Sequence, residues 1–130
     1  MNIFVSYTTR DDHINREFLV GVSDVIADLG SSYIDLLDNH AVDKQAHVEA
    51  MLNESDVLLL LSSSSINESQ WVHWELTQAK KLKVPIIEIC VKQKDVDEVG
   101  KKILSEFSLY AEANKKTQVT STTHLTQALP

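Results

Sequence analysis

The stretch Asp56 to Ala79, DVLLLLSSSSINESQWVHWELTQA, decides the fold. Its apolar run Val57 to Leu61 stops at four serines, Ser62 to Ser65, and after a polar turn two tryptophans, Trp71 and Trp74, lead up to Glu75. A short, unbroken apolar run bounded by turn residues reads as a strand covered on both faces. The sequence therefore predicts a strand over Asp56 to Leu61, a hydroxyl-rich loop from Ser62 to Ser69, and a helix from about Ser69 to Leu82. Val72, Leu76 and Ala79 form the apolar stripe of that helix.

Upstream, Asn2 to Tyr7 is rich in β-branched and aromatic residues and reads as a first, central strand. Ile14 to Leu29 places Ile14, Phe18, Val22, Val25, Ile26 and Leu29 at helical spacing, with Gly30 in position to close the helix. Ser32 to Leu37 reads as a second strand, at an edge of the sheet. Asp38 to Asp43 is a polar, mobile loop, and Asp43 caps a helix running through Asn53, with Ala46, Val48 or Ala50, and Met51 or Leu52 facing inward.

Downstream, Val84 to Val91 is a fourth strand, with Pro85 tolerated at its start. Val99, Ile103, Leu104 and Phe107 mark a helix from Val96 to Phe107. A fifth strand is expected at Ser108 to Ala111 or at Thr117 to Thr120, followed by a short helix from Thr123 to Leu129 capped by Thr122 or Thr123. Strands alternating with helices across short loops give an α/β fold with a doubly wound parallel sheet of about five strands and right-handed crossovers. Ligands in such sheets bind at the carboxyl ends of the strands near the switch point, here Ser6 to Arg10 and Ser62 to Ser65.

A chain of 130 residues, 43% hydrophobic and 24% charged, is expected to form one domain over residues 1–130 with a proper core. The net charge of −7 opposes phosphate backbones, and no basic cluster with interleaved aromatics offsets it, so no nucleic-acid partner is expected. The apolar runs are far too short to span a bilayer, and no basic leader precedes the first strand, so no membrane is expected and the cytoplasm is the expected location. The five histidines lack ligand spacing, so no metal is expected. The single cysteine, Cys90, reads as a small buried hydrophobe.

Glu75 is the first candidate for chemistry. With Ser69 or Asn67 as cap it lies at the sixth helical position or later, beyond the turn where a carboxylate complements the helix dipole. Trp71 shares its face one turn earlier. A carboxyl beside an indole in a partly desolvated cleft has its charged form disfavoured. Such a group can hydrogen-bond a ribose hydroxyl and stabilise positive charge on a sugar as a glycosidic bond breaks. A glutamate at the margin of the apolar stripe is the alternative reading, and both stand at this point.

The serine loop, Ser62 and Ser63 included, could donate hydrogen bonds to ligand hydroxyls or phosphates, or could be merely solvated. Tyr7 and Trp71 or Trp74 could stack on a nicotinamide or adenine ring, or fill core. Arg10, the one basic residue near the end of the first strand, could pair with a pyrophosphate or stand free. Neither GxGxxG nor GxxxxGK[ST] occurs, which excludes the glycine-rich phosphate cradles. A phospho-receiver needs an aspartate at the end of the third strand, where Leu61 and Ser62 stand. A nucleoside deoxyribosyltransferase shares the sheet type and also uses a glutamate on a sugar.

Three blocks of sequence resemble a TIR (Toll/interleukin-1 receptor) domain over nearly the whole chain. Ile3-Phe4-Val5-Ser6-Tyr7 with Asp11-Asp12 is similar to the family's first strand and its acidic continuation. Ser55-Asp56 leading into VLLLLS resembles the third strand, and Ser69, Trp71 and Glu75-Leu76 match the pattern S-x-W-x-x-x-E-L. Val84-Pro85-Ile86-Ile87 resembles the fourth strand.

The resemblance implies a flavodoxin-like fold and an NAD⁺-cleaving glutamate at Glu75, with NAD⁺ as substrate and no resident cofactor. Ser6, Tyr7, Arg10, Asp43, Ser62, Ser63 and Trp71 are the expected substrate contacts. It also implies that the loop from Asn39 to Ala46 gates the site and makes TIR–TIR contacts, although the glycine and proline often seen there are missing. Free-standing TIR proteins of Thoeris-type phage defence are similar in layout, and they imply an ADP-ribose-derived, often cyclic, product for a separate effector. A non-catalytic adaptor or host-directed interaction module is the alternative function.

Overall fold

The computed structural model describes residues 1–92 and 95–128, with side chains described as far as residue 114. Its elements are β1 (Asn2–Ser6), α1 (Arg16–Ile26), β2 (Ser31–Ile34), α2 (Asp35–Asp38), α3 (Lys44–Asn53), β3 (Val57–Ser62), a 3₁₀ turn (Ile66–Glu68), α4 (Gln70–Lys81), β4 (Ile86–Cys90) and α5 (Val96–Ala128). The strands form one parallel sheet in the order β2-β1-β3-β4. The chain runs outward one way from β1 to β2, then returns to place β3 on the other side of β1. That reversal opens a crevice at the carboxyl ends of β1 and β3.

The fold is α/β and flavodoxin-like, with four strands in place of the expected five. Ser108 to Ala111 is helical and continues α5, as do the backbones of Thr117 to Thr120 and Thr123 to Ala128. Leu129, the expected end of a separate last helix, lies outside the described residues. Val99, Ile103 and Phe107, spaced four apart, hold the first part of α5 on the sheet, and a helix seated by such a stripe keeps its direction past threonines whose local preference is for strand.

Strand parity sorts the core into two layers. Ile3, Val5, Leu59, Leu61, Ile87 and Ile89 face α1 and α5. Phe4, Leu58 and Leu60 face Val48 and Leu52 of α3 and Val72 and Ala79 of α4. Ser6 has the same parity as Phe4, so its side chain points toward α4. This single step of register places a hydroxyl against the helix that carries Glu75.

Local signals set the helix ends. Asp43 accepts from the Ala46 amide at 3.1 Å and Ser69 accepts from the Val72 amide at 3.2 Å, so both caps form as the sequence predicts. Three details differ from it. Gly30 does not close α1, which ends at Ile26; glycine is needed at 30 because a Cβ there would lie 2.1 Å from the Met1 carbonyl oxygen. The segment expected to be strand from Ser32 to Leu37 turns after Ile34 into the short helix α2, where the Asp38 carboxylate accepts from the Ile34 amide at 2.8 Å. Cys90 is exposed rather than buried, because β4 alternates and Ile87 and Ile89 take the inner face.

Candidate active site

Glu75 lies in the second turn of α4, facing the sheet, and only 3% of its surface is exposed. One hydrogen bond supports it: Ser6 Oγ donates to Oε1 at 2.8 Å. Its second carboxyl oxygen makes no protein hydrogen bond among the described residues. A carboxyl so placed loses hydration that one hydroxyl does not replace. Burial pushes its pKa up to about 8, the Ser6 hydrogen bond works against this, and the charge of Asp35 adds to it.

Glu75 lines a cleft of about 280 Å³ at the carboxyl end of β1, near the lower end of the roughly 300–1,000 Å³ of common small-molecule sites. Three walls enclose it. Val5, Tyr7, Thr8 and Thr9 come from β1 and the turn after it, Asp35 and Leu36 from α2, and Ser69, Trp71 and Glu75 from the start of α4. Trp71 is 40% exposed and stacks on Trp74 with centroids 5.3 Å apart and planes 18° from parallel. A large aromatic left open at a cleft mouth and held by a second ring is a ready stacking surface.

Tyr7 is fixed against the α2 wall, its hydroxyl oxygen accepting from the Leu36 amide at 2.9 Å. Burial raises its pKa to about 12, so it remains a neutral phenol at any working pH. Asp35 is held from the other side. Its Oδ1 accepts from Tyr33 Oη at 3.0 Å and from Asn39 Nδ2 at 2.7 Å, and Asn39 Nδ2 also donates to the Lys44 carbonyl at 3.2 Å. Burial, followed by the hydrogen bond to Asp35, raises the Tyr33 pKa.

The structure thus brings Tyr7, Trp71 and Glu75 together in the cleft, with buried Ser6 touching it only through Glu75, and leaves four other candidates outside. Arg10 is exposed, and its backbone amide donates to Thr8 Oγ1 at 3.3 Å. Asp43 is exposed and occupied in capping α3. Ser62 belongs to β3, where its carbonyl accepts from the Val91 amide at 2.7 Å. Ser63 is buried, with its Oγ making no hydrogen bond of good geometry.

The serine loop is turned instead toward Asp11. Ser64 Oγ, Ser65 Oγ and the Ser65 amide all donate to the Asp11 carboxylate, each at 3.0 Å. The nearby Ser63 hydroxyl, then the Ser65 amide, hold the Asp11 carboxyl well below the usual carboxylate range. Sequence reasoning does not single out Asp35 or Asp11 as site residues. The signal for Asp11 is an aspartate shortly after a strand facing a run of hydroxyls that needs an acceptor. Asp35 offers none, since it sits inside what reads as a strand.

Among the described residues no helix is long and apolar enough to cross a membrane. No curated protein matches the chain at a significant level. Among solved structures, it is similar to a 2-deoxyribosyltransferase from the psychrotolerant bacterium Bacillus psychrosaccharolyticus. The TM-score is 0.52 at 15% sequence identity, over 77% of this chain and 90% of that one, and a likeness at this identity speaks for the fold alone. The model of the TIR-like domain of the Thoeris protein ThsB matches residues 4–96. That span runs from within β1 to beyond β4 and covers every residue lining the cleft. The chain belongs to the family of TIR-like domains of Thoeris protein ThsB.

Proposed function

We propose that this protein cleaves the N-glycosidic bond between nicotinamide and ribose in NAD⁺ and makes an ADP-ribose-derived, possibly cyclised, signal in defence against phage. The observation that carries the reading is Glu75: a carboxyl buried at the head of an open cleft, with one supporting hydroxyl and one oxygen left for a ligand. A buried acid with so little internal support costs stability, and such groups concentrate where chemistry needs them.

The chemistry follows from the charge of the substrate. Nicotinamide joined to ribose is a pyridinium cation, and its arrival beside Glu75 favours the carboxylate over the acid. When the bond between C1′ and the ring nitrogen breaks, its electron pair leaves with nicotinamide, which becomes neutral. The positive charge passes to the ribose as an oxocarbenium ion, and the Glu75 carboxylate stabilises it. Water, or a nucleophile elsewhere on the same molecule, then adds at C1′ and gives up its proton. Trp71 supplies a face for an aromatic ring, and Tyr7 lines the opposite wall.

In this proposal the protein works in the cytoplasm, self-associates through the segment from Asn39 to Ala46, and serves a separate effector that reads the product. Val42, at the tip of that segment, is fully exposed, which supports a contact role there. The test is incubation of the purified protein with NAD⁺, dilute and crowded, with free nicotinamide and the ribosyl product followed by mass spectrometry. Release by the wild type and none by Glu75→Ala supports the proposal. Base exchange on a deoxynucleoside without NAD⁺ turnover would move the reading to nucleoside transfer, and no turnover of either would leave an interaction module.

A further inference from the structure

The cleft is lined by two carboxyls, Glu75 from α4 and Asp35 from α2, and by no lysine or arginine among the described residues. Arg10, next in sequence to the lining residue Thr9, is exposed and is not among the residues that line the cleft. The two acids are not equivalent. Glu75 has one hydroxyl partner, whereas Asp35 is positioned by Tyr33 and Asn39, both on the same oxygen, Oδ1. Neither partner carries a positive charge, so the hydrogen bonds orient Asp35 without neutralising it.

We propose that Asp35 is the residue by which this cleft selects a cationic ring, admitting the pyridinium end of a dinucleotide and turning its phosphates outward. The proposal deepens the reading of the cleft as a pyridinium-glycoside site by assigning its charge selectivity to a residue that does not itself stabilise the ribosyl cation. A fixed negative charge across from the bond to be broken attracts the ring while it is charged and loses that attraction once nicotinamide leaves neutral. The Asp35 carboxylate repels phosphate from the space it faces, so a dinucleotide enters ring first. The charge of Asp35 also favours the neutral form of Glu75 in the empty cleft.

Binding of N-methylnicotinamide cation and of neutral nicotinamide tests this without any turnover, with affinities measured by NMR titration on the wild type, Asp35→Asn and Glu75→Gln. These ligands share a ring and differ in charge. The wild type is expected to bind the cation about tenfold or more tightly than the neutral ring. Asp35→Asn retains an oxygen to accept from Tyr33 and Asn39, so the fold is expected to stay intact while the preference drops to a few-fold. In Glu75→Gln a preference for the cation persists, supplied by Asp35 alone. Equal affinity for the two rings in the wild type, or an unchanged ratio in folded Asp35→Asn, overturns the proposal. Because no bond is broken, selectivity for the cation can stand even if NAD⁺ cleavage fails, and can fail even if cleavage is observed.

Discussion

Glu75 and Asp11 are carboxyls that both sit at the carboxyl ends of the parallel strands and both meet serine hydroxyls, yet their surroundings drive them in opposite directions. Asp11 receives three hydrogen bonds from Ser64 and Ser65 and stays ionised. Glu75 receives one, from Ser6, under nearly complete burial, and is pushed toward the neutral acid. The difference lies in donor count and water access, since the side chains carry the same group. It separates a carboxylate used as a knot between loops from one kept under-supported and open to a ligand.

The largest effect that sharpens this contrast is the pH dependence of stability. The folded pKa of Glu75 is raised to about 8 from 4.5, so between those values the native state keeps a proton that the unfolded chain has lost. Stability is full below about pH 4.5, falls as pH rises toward 8, and is flat above, by a few kcal/mol in all. Glu75→Gln, which keeps an oxygen to accept from Ser6, is expected to remove that slope and unfold at higher urea than the wild type at pH 8. Urea titrations at several pH values check this, and parallel curves for the two proteins would show that Glu75 is not proton-linked to folding.

Ser6→Ala takes away the one internal partner of Glu75. The expected cost is about 1–3 kcal/mol at pH 8, read from the same titrations, and it shrinks at low pH where the carboxyl is neutral. Asp11→Ala unties the serine loop. Hydrogen exchange at the Ser65 amide is expected to speed up while the β3 amides keep their protection. The sign of its linkage is opposite to that of Glu75: Asp11 supports the fold above its ordinary pKa of 3.8, and this is lost as pH falls further. The smallest change is Asp43→Ala, which removes the α3 cap at about 1 kcal/mol; thermal unfolding is expected to shift slightly with the Glu75 cleft unaltered.

The strong signals in the sequence were those that repeat or that pair a cap with a helix. The apolar run of β3, the stripe of α4 and the caps at Asp43 and Ser69 each follow from local chemistry, and together they place Glu75 one face away from β1. Reading failed where an element was too short to show a period or where its determinant lay far away in the sequence. Four residues of α2 are too few to show a helical period, and what turns the chain there is the Asp38 carboxylate reaching back to the Ile34 amide. Asp35 consequently reads as one more strand residue. The serines of the loop after β3 invite a ligand when seen alone, and only the arrival of Asp11 from a segment some fifty residues earlier satisfies them. The tail of α5 follows the stripe that precedes it rather than its own threonines.

The central claim is that the carboxyl oxygen of buried Glu75 that receives no hydrogen bond among the described residues serves the breaking of a pyridinium glycoside. The most direct measurement is nicotinamide release from NAD⁺ by the wild type and by Glu75→Gln, on samples whose urea unfolding shows both to be folded. Release by the wild type, and a loss of at least about a hundredfold in Glu75→Gln, is the result expected. Equal release by the two folded proteins, or none from the wild type under dilute and crowded conditions alike, contradicts the account.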